Sequence, residues 1–279
     1  MITQFDYISP AGAAMTLLHN PFFTVTDIEG LTTETSNLAS VSVPSVDGDT
    51  VTNVQAQPRT VNMYLRLKQS AGIEAAKRYI LQFVKPKLAG TLQMTRDGHQ
   101  TELKGIVEAI SLPRFAQGCT MQITLHCAQP YWTDSEITTK DFSTVENAHH
   151  YPFALPSSGI VLGAFDSNNE TSVENDGDVE TGLQIVITAL GAVTNPKLTD
   201  ALTGEFIGIT DTLAANDEVI INTTVGSKTV TKNGANIISK LTEGSRFLQL
   251  GVGSNIFAIS ATSGIDNAYF TVRYRQKYV

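Results

Sequence analysis

The sequence predicts a mostly β protein in two parts: an α+β unit of strands around one helix, then an antiparallel β-sandwich. Three observations carry this. Charged residues are only 16% of the 279, against 42% hydrophobic. That charge content is well below the ~25% of ordinary soluble domains, and a chain rich in Thr, Ser, Val and Ile leans to strand. Apolar and polar residues alternate with period two in many short runs. Helical spacing of apolar residues stands out in one place, at Ile73, Ala76, Ile80, Phe83 and Val84.

The elements follow in order. Phe22-Phe23-Thr24-Val25-Thr26 reads as an early strand that ends near Gly30. Val41 and Val43 alternate with Ser40 and Ser42, and Asp47-Gly48-Asp49 signals a tight turn after them. Val61, Met63, Leu65 and Leu67 alternate with Asn62, Tyr64, Arg66 and Lys68. Ser70 is expected to cap the helix, Lys85 and Lys87 to suit its negative end, and Pro86 to stop it. A hairpin turning at Asp97-Gly98 follows. Met121, Ile123 and Leu125 alternate with Gln122, Thr124 and His126 between Cys119 and Cys127. One strand there places the two sulfurs about 27 Å apart, beyond disulfide reach, so both are expected as buried thiols.

Residues 133–158 lose the apolar pattern and contain Pro152 and Pro156, which places a domain boundary near 140. The domains expected are 1–140 and 141–279. In the second, Leu183, Ile185 and Ile187 share one strand face, and Val219, Ile221, Thr223 and Val225 another. Asn233-Gly234 signals a hairpin, and Phe270, Val272 and Tyr274 alternate with Thr271, Arg273 and Arg275. Short strands without a helix predict a sandwich. The stretch 36–67 makes a hairpin longer than a compact domain needs. An arm of that kind, apolar and weakly charged, is a sticky edge unless another chain covers it.

Chemistry finds little support. Residues 1–140 carry 11 Lys/Arg against 12 Asp/Glu, and residues 141–279 carry 8 against 15, so neither half has the basic surface that nucleic acid requires. The first residues lack a basic export-signal start, so synthesis in the cytoplasm is expected. No apolar run approaches the ~18–20 residues of a membrane-spanning helix. Gly251-Val252-Gly253-Ser254 imitates a phosphate loop, but Asn255-Ile256-Phe257-Ala258-Ile259 reads onward as strand, where such a loop needs a helix. His19, His99, His126, His149 and His150 form no zinc-type pair. Asp166-Ser167-Asn168-Asn169-Glu170 resembles half of a calcium loop, with Thr171 where glycine is required. Ser157-Ser158-Gly159 is not a nucleophile elbow. No catalytic, cofactor-binding or metal-binding residue is assigned, and no enzyme activity is expected. Trp132, the single tryptophan, is expected to pack between domains rather than to serve as a sugar platform.

The order of the parts resembles the distal tail protein (Dit) family of long-tailed, non-contractile phages, over nearly all of the chain. The first half of the likeness rests on Phe23-Thr24-Val25-Thr26-Asp27-Ile28-Glu29-Gly30-Leu31, Asp47-Gly48, Pro58-Arg59-Thr60-Val61, Ala76-Lys77-Arg78-Tyr79-Ile80 and Gly90-Thr91-Leu92. The second rests on Asn175-Asp176-Gly177-Asp178-Val179-Glu180-Thr181, Phe247-Leu248-Gln249-Leu250-Gly251-Val252-Gly253-Ser254-Asn255 and Phe270-Thr271-Val272-Arg273-Tyr274-Arg275-Gln276-Lys277-Tyr278. The resemblance implies a non-enzymatic hexameric ring at the virion tail tip, joining the tail tube to the tip proteins and passing DNA through its lumen. It implies a first domain that builds the ring and a galectin-like sandwich outside it. Residues 36–67 would belt the neighbouring subunit, with Val41, Val43, Val46, Val51 and Val54 as proposed contacts. Neither specific nucleic-acid binding nor membrane insertion is implied. Two rival readings are a carbohydrate-binding module for host-surface polysaccharide, using Trp132 or tyrosines, and a hydrolase with dispersed catalytic residues.

Overall fold

A computed structural model describes residues 2–32, 35–42, 44, 47–112, 119–146, 164–167 and 170–279. The chain forms two compact units, Met1–Ser135 with Tyr278–Val279, and Glu136–Lys277.

The first unit holds β1 (Ile2–Ile8), β2 (Ala14–Thr16), β3 (Phe23–Glu29), β4 (Ser36–Ser42), β5 (Asp49–Ala56), β6 (Arg59–Leu67), α1 (Ile73–Phe83), β7 (Ala89–Arg96), β8 (His99–Ser111), β9 (Thr120–Cys127) and β10 (Trp132–Asp134). Its main sheet runs β2-β1-β7-β8-β9-β6-β3, with β10 on β8. The period-two runs become strands because one sheet face is buried: Val61, Met63, Leu65 and Leu67 on β6, and Met121, Ile123 and Leu125 on β9. Ala76 and Ile80 of α1 and the following Val84 join the same core. The β7–β8 turn is a two-residue hairpin in which Asp97 (φ 52°) and Gly98 (φ 83°) are both left-handed. That geometry matches strand twist, and it is why Asp-Gly signals a hairpin. Ala11-Gly12-Ala13 turns between β1 and β2, with the Gly12 N–H donating to the Ser9 carbonyl.

Three expectations for this unit are corrected. Ser70 does not cap the helix. It lies in a short 3-10 turn, Gln69–Ala71, and Gly72 takes the N-cap position with φ 79°. Lys85 and Lys87 lie past the helix, because Val84 is already extended and a proline disfavours helical geometry in the residue before it. Of the two free thiols, Cys127 is buried but Cys119 is only half-buried, just outside β9.

The second unit holds β11 (Thr138–Asp141), β12 (Ser143–Glu146), β13 (Ala164–Ser167), β14 (Glu170–Asn175), β15 (Thr181–Ala189), β16 (Val193–Thr194), β17 (Lys197–Asp200), β18 (Phe206–Gly208), β19 (Thr212–Leu213), β20 (Glu218–Asn222), β21 (Thr229–Lys232), β22 (Ala235–Asn236), β23 (Gln249–Leu250), β24 (Gly253–Ser260), β25 (Ala268–Tyr274) and β26 (Lys277–Tyr278), whose last residue belongs to the first unit. One sheet runs β11-β25-β15-β20-β21-β22, with β23 on β15; the other runs β14-β24-β17-β18. Leu183, Ile185, Ile187, Val219, Ile221, Phe270 and Val272 of the first sheet meet Val173, Leu198, Ile207, Phe257 and Ile259 of the second in one apolar core. This is the antiparallel sandwich expected. Val225 departs from its expected face: β20 ends at Asn222, and Val225 lies 64% exposed in the turn beyond. The stretch after 133 is also less irregular than its composition suggests. Thr138–Asp141 pairs with β25, and Phe142 enters the core.

Candidate assembly interface

Among the described residues, the hairpin β4–β5 pairs with no other strand. Its root is firmly held. The Gln57 N–H donates to the Thr35 carbonyl at 2.8 Å. The Leu31 carbonyl accepts two side-chain bonds, from Arg59 Nη1 at 2.6 Å and from Trp132 Nε1 at 3.0 Å. Arg59 and Trp132 are both buried, so these bonds form where water cannot replace them. Just before, Gly30 has φ 84°, and a Cβ there would lie 2.1 Å from the Thr60 carbonyl oxygen. Only glycine fits that crossing. The Arg59 guanidinium also faces Cys127, whose thiol is nevertheless pushed up to about 11 by burial.

Beyond the root, nothing among the described residues covers the hairpin. Every residue of β4, and of β5 as far as Gln55, is exposed. Leu38 opposes Val54 and Ser40 opposes Val51, with a register slip beside Ala39. Directly opposed residues share a face. Leu38, Val51 and Val54, exposed by 61%, 54% and 57%, therefore form one apolar stripe, and Val41, opposite Thr50, lies on the other face. Of the five proposed contacts, Val51 and Val54 come together, Val41 points away from them, and Val43 and Val46 lie outside the described residues. Leu38 was missed. The slip at Thr52 breaks the alternation that would have linked it to Val51.

The remaining sequence candidates resolve as follows. Gly251-Val252 carries the chain from β23 in one sheet to β24 in the other. The Asn255 side chain closes that turn, accepting from the Gly251 N–H and donating to the Gly251 and Gly253 carbonyls at 2.8 Å each. No helix follows to receive a phosphate. Asn175 does similar work in the Asn-Asp-Gly-Asp turn: it is buried, accepts from the Gly177 N–H, and donates to the Val179 and Leu250 carbonyls. Trp132 is 3% exposed and sits in the first unit's own core, so it is no sugar platform. His99 lies 3.2 Å from Asp134 and edge-on to Tyr278; His126 is exposed on β9. His149, His150, Ser157, Ser158, Gly159, Asn168 and Asn169 lie outside the described residues. Among the described residues no cluster of His, Cys, Asp or Glu could hold a metal ion, and no helix is long and apolar enough to cross a membrane.

These features define a class: a two-unit β protein whose outstanding surface, among the described residues, is an exposed ribbon. Comparison with known proteins adds a likeness in one domain and in the fold. Residues 176–278 match the model of the siphovirus-type tail component, C-terminal domain. The solved SPP1 Dit protein, described as a paradigm of the hub adsorption apparatus in phages infecting Gram-positive bacteria, aligns with TM-score 0.70 at 14% identity, over 99% of each chain. A chain of the phage P2 baseplate in its activated conformation with calcium aligns with TM-score 0.51 at 10% identity, over 98% of each. No curated protein matches the sequence. The likeness to the Dit family read from the sequence is thus matched by the tail-component domain model over residues 176–278 and, in fold, by the SPP1 Dit protein over nearly the whole chain.

Proposed function

We propose that the chain is a structural tail-hub protein of a long-tailed phage or prophage. It forms a ring, hexameric by the family's stoichiometry, that joins the tail tube to the tip or baseplate proteins and lets DNA pass. The observation that carries this reading is the β4–β5 ribbon. It is anchored at Leu31, Arg59 and Trp132 but presents Leu38, Val51 and Val54 to solvent. A two-stranded ribbon is marginal on its own in water, and an apolar stripe on it calls for cover. In a ring the neighbouring copy supplies that cover, so the ribbon acts as a belt. The two units act as separate domains: the first builds the ring and the second lies outside it. The near balance of charge over residues 1–140 suits a wall that does not trap passing DNA. Its place is the virion tail tip, after synthesis in the host cytoplasm, and its role needs no catalysis.

Light scattering tests the ring. The full chain is expected near 180 kDa, about six times its monomer mass in a closed symmetric ring. A variant lacking residues 38–55 is expected to fold and remain monomeric. A deletion variant that still assembles would refute the belt.

A further inference from the structure

The second unit contains a polar groove that the hub reading does not use. It has a volume of about 310 Å³ and is lined by Asn195, Lys197, Thr210, Thr242, Ser260, Ala261 and Thr262, within the ~300–1,000 Å³ of small-molecule sites. We propose that it binds one hydroxyl-rich anionic unit, an acidic sugar or a polyol phosphate, with the Lys197 ammonium as the charge partner.

Four chain segments converge on the groove, and backbone bonds tie them together. The Asn195 N–H donates to the Asp211 carbonyl at 2.9 Å, Thr210 to Lys240 at 2.7 Å, Thr242 to Gly208 at 2.9 Å and Thr262 to Thr194 at 2.8 Å. The walls are thus preorganised, which lowers the ordering cost of binding. Asn195 holds a left-handed backbone, φ 52°. Its side-chain amide donates to Thr262 Oγ1 at 3.1 Å, which leaves the Oδ1 acceptor available to a ligand hydroxyl. Thr210 and Thr242 pair their hydroxyls at 3.2 Å, and each hydroxyl keeps capacity for a second bond.

The charge pattern gives the ligand its sign. Lys232 and Lys240, on the neighbouring segments, are neutralised: Lys232 by Asp211 and Asp217, Lys240 by Asp211 at 2.9 Å. Lys197 has no carboxylate within ion-pair distance among the described residues. Its ammonium instead rests 5.0 Å from the centre of the Phe206 ring, a contact that leaves its N–H donors free. Gly208 makes the space for its stem, since a Cβ there would lie 3.2 Å from Lys197 Cβ and Cγ. Lys197, which lines the groove, is therefore an uncompensated cation beside a set of hydroxyl and amide groups, and a ligand would draw its ammonium from Phe206, in a chain of net charge −8. Neutral sugars would forgo the ammonium; simple anions would forgo the hydroxyls.

The test is an NMR titration of the full chain with galacturonate, glycerol phosphate, galactose and inorganic phosphate, each to about 10 mM, where weak single-unit binding is read. We expect shifts confined to the groove residues for galacturonate, glycerol phosphate or both, with at least tenfold weaker binding of galactose and phosphate. Response to one of the first two identifies the source. Lys197→Gln, which keeps the Cβ and Cγ beside Gly208 and removes the charge, is expected to weaken binding at least tenfold. Lys228→Gln, which alters a lysine over a different ring, Phe247, is expected to change nothing. Absence of groove shifts with every probe, or equal binding by Lys197→Gln, would overturn the proposal. Neither outcome bears on the ring, which is read separately by mass.

Discussion

Two hairpins of the first unit have similar strands and opposite surroundings. β7–β8 lies inside the main sheet and buries Leu92, Met94, Leu103 and Val107 on one face. Among the described residues, β4 and β5 bury nothing as far as Gln55, and each strand has one edge unpaired. Both have apolar residues facing each other across the pair. The first hairpin is stabilised by its own chain; among the described residues the second has its ladder and its root alone. The difference bears on the proposed belt: if a neighbouring copy covers the ribbon, its apolar side chains serve that contact rather than this chain's folding, and assembly and stability are then separable by mutation.

The largest effect should fall on the buried hairpin. Leu92→Ala is expected to cost about 2–5 kcal/mol of unfolding free energy, as a large buried side chain does, whereas Leu38→Ala should stay within about 0.5 kcal/mol, as at an open surface. Denaturant melts of the monomeric forms check both, and similar losses at the two sites would erase the contrast. Next comes the root. Gly30→Ala is expected to cost about 2–3 kcal/mol, because it combines a strained left-handed backbone with a clash at Thr60, and to speed proteolysis of the ribbon. An unchanged melt and cleavage rate would show that the crossing relaxes easily.

The smallest effect contrasts the ribbon with the second unit. Asp217 is held down at about 2 by the Ala214 N–H, then by Asn233 and Lys232. Asp211 is also lowered, first by Lys240. A carboxylate with a depressed folded value stabilises above its ordinary 3.8 and loses that contribution as pH falls towards about 2. Thermal melts of the Asp217→Asn variant should therefore fall less steeply across that window than those of the parent. The same slope in both would remove Asp217 from the acid response.

What the sequence revealed follows the same divide. Val61, Met63, Leu65 and Leu67 were legible because β6 lies between β9 and β3 and buries one whole face. Asp97-Gly98 and Asn233-Gly234 were legible because both positions of each turn require positive φ. The Leu31 clamp was not, since its donors lie 28 and 101 residues away. Leu38 escaped because a bulge breaks the ribbon's period at Thr52. The groove of Asn195, Lys197 and Thr242 has no linear pattern at all; four separated segments form it. Ser70 misled because a cap needs the right backbone position as well as a hydroxyl, and Gly72 holds that position.

The most direct measurement is amide hydrogen exchange on the ribbon, in the assembled protein and in protein diluted to monomer. If a neighbouring copy covers β4–β5, the Val51 and Val54 amides exchange slowly in the assembly and fast in the monomer, while Leu92 and Leu103 on β7–β8 stay protected in both. Ribbon amides that exchange equally fast in the two states, or as slowly as β7–β8 in the monomer, would contradict the belt.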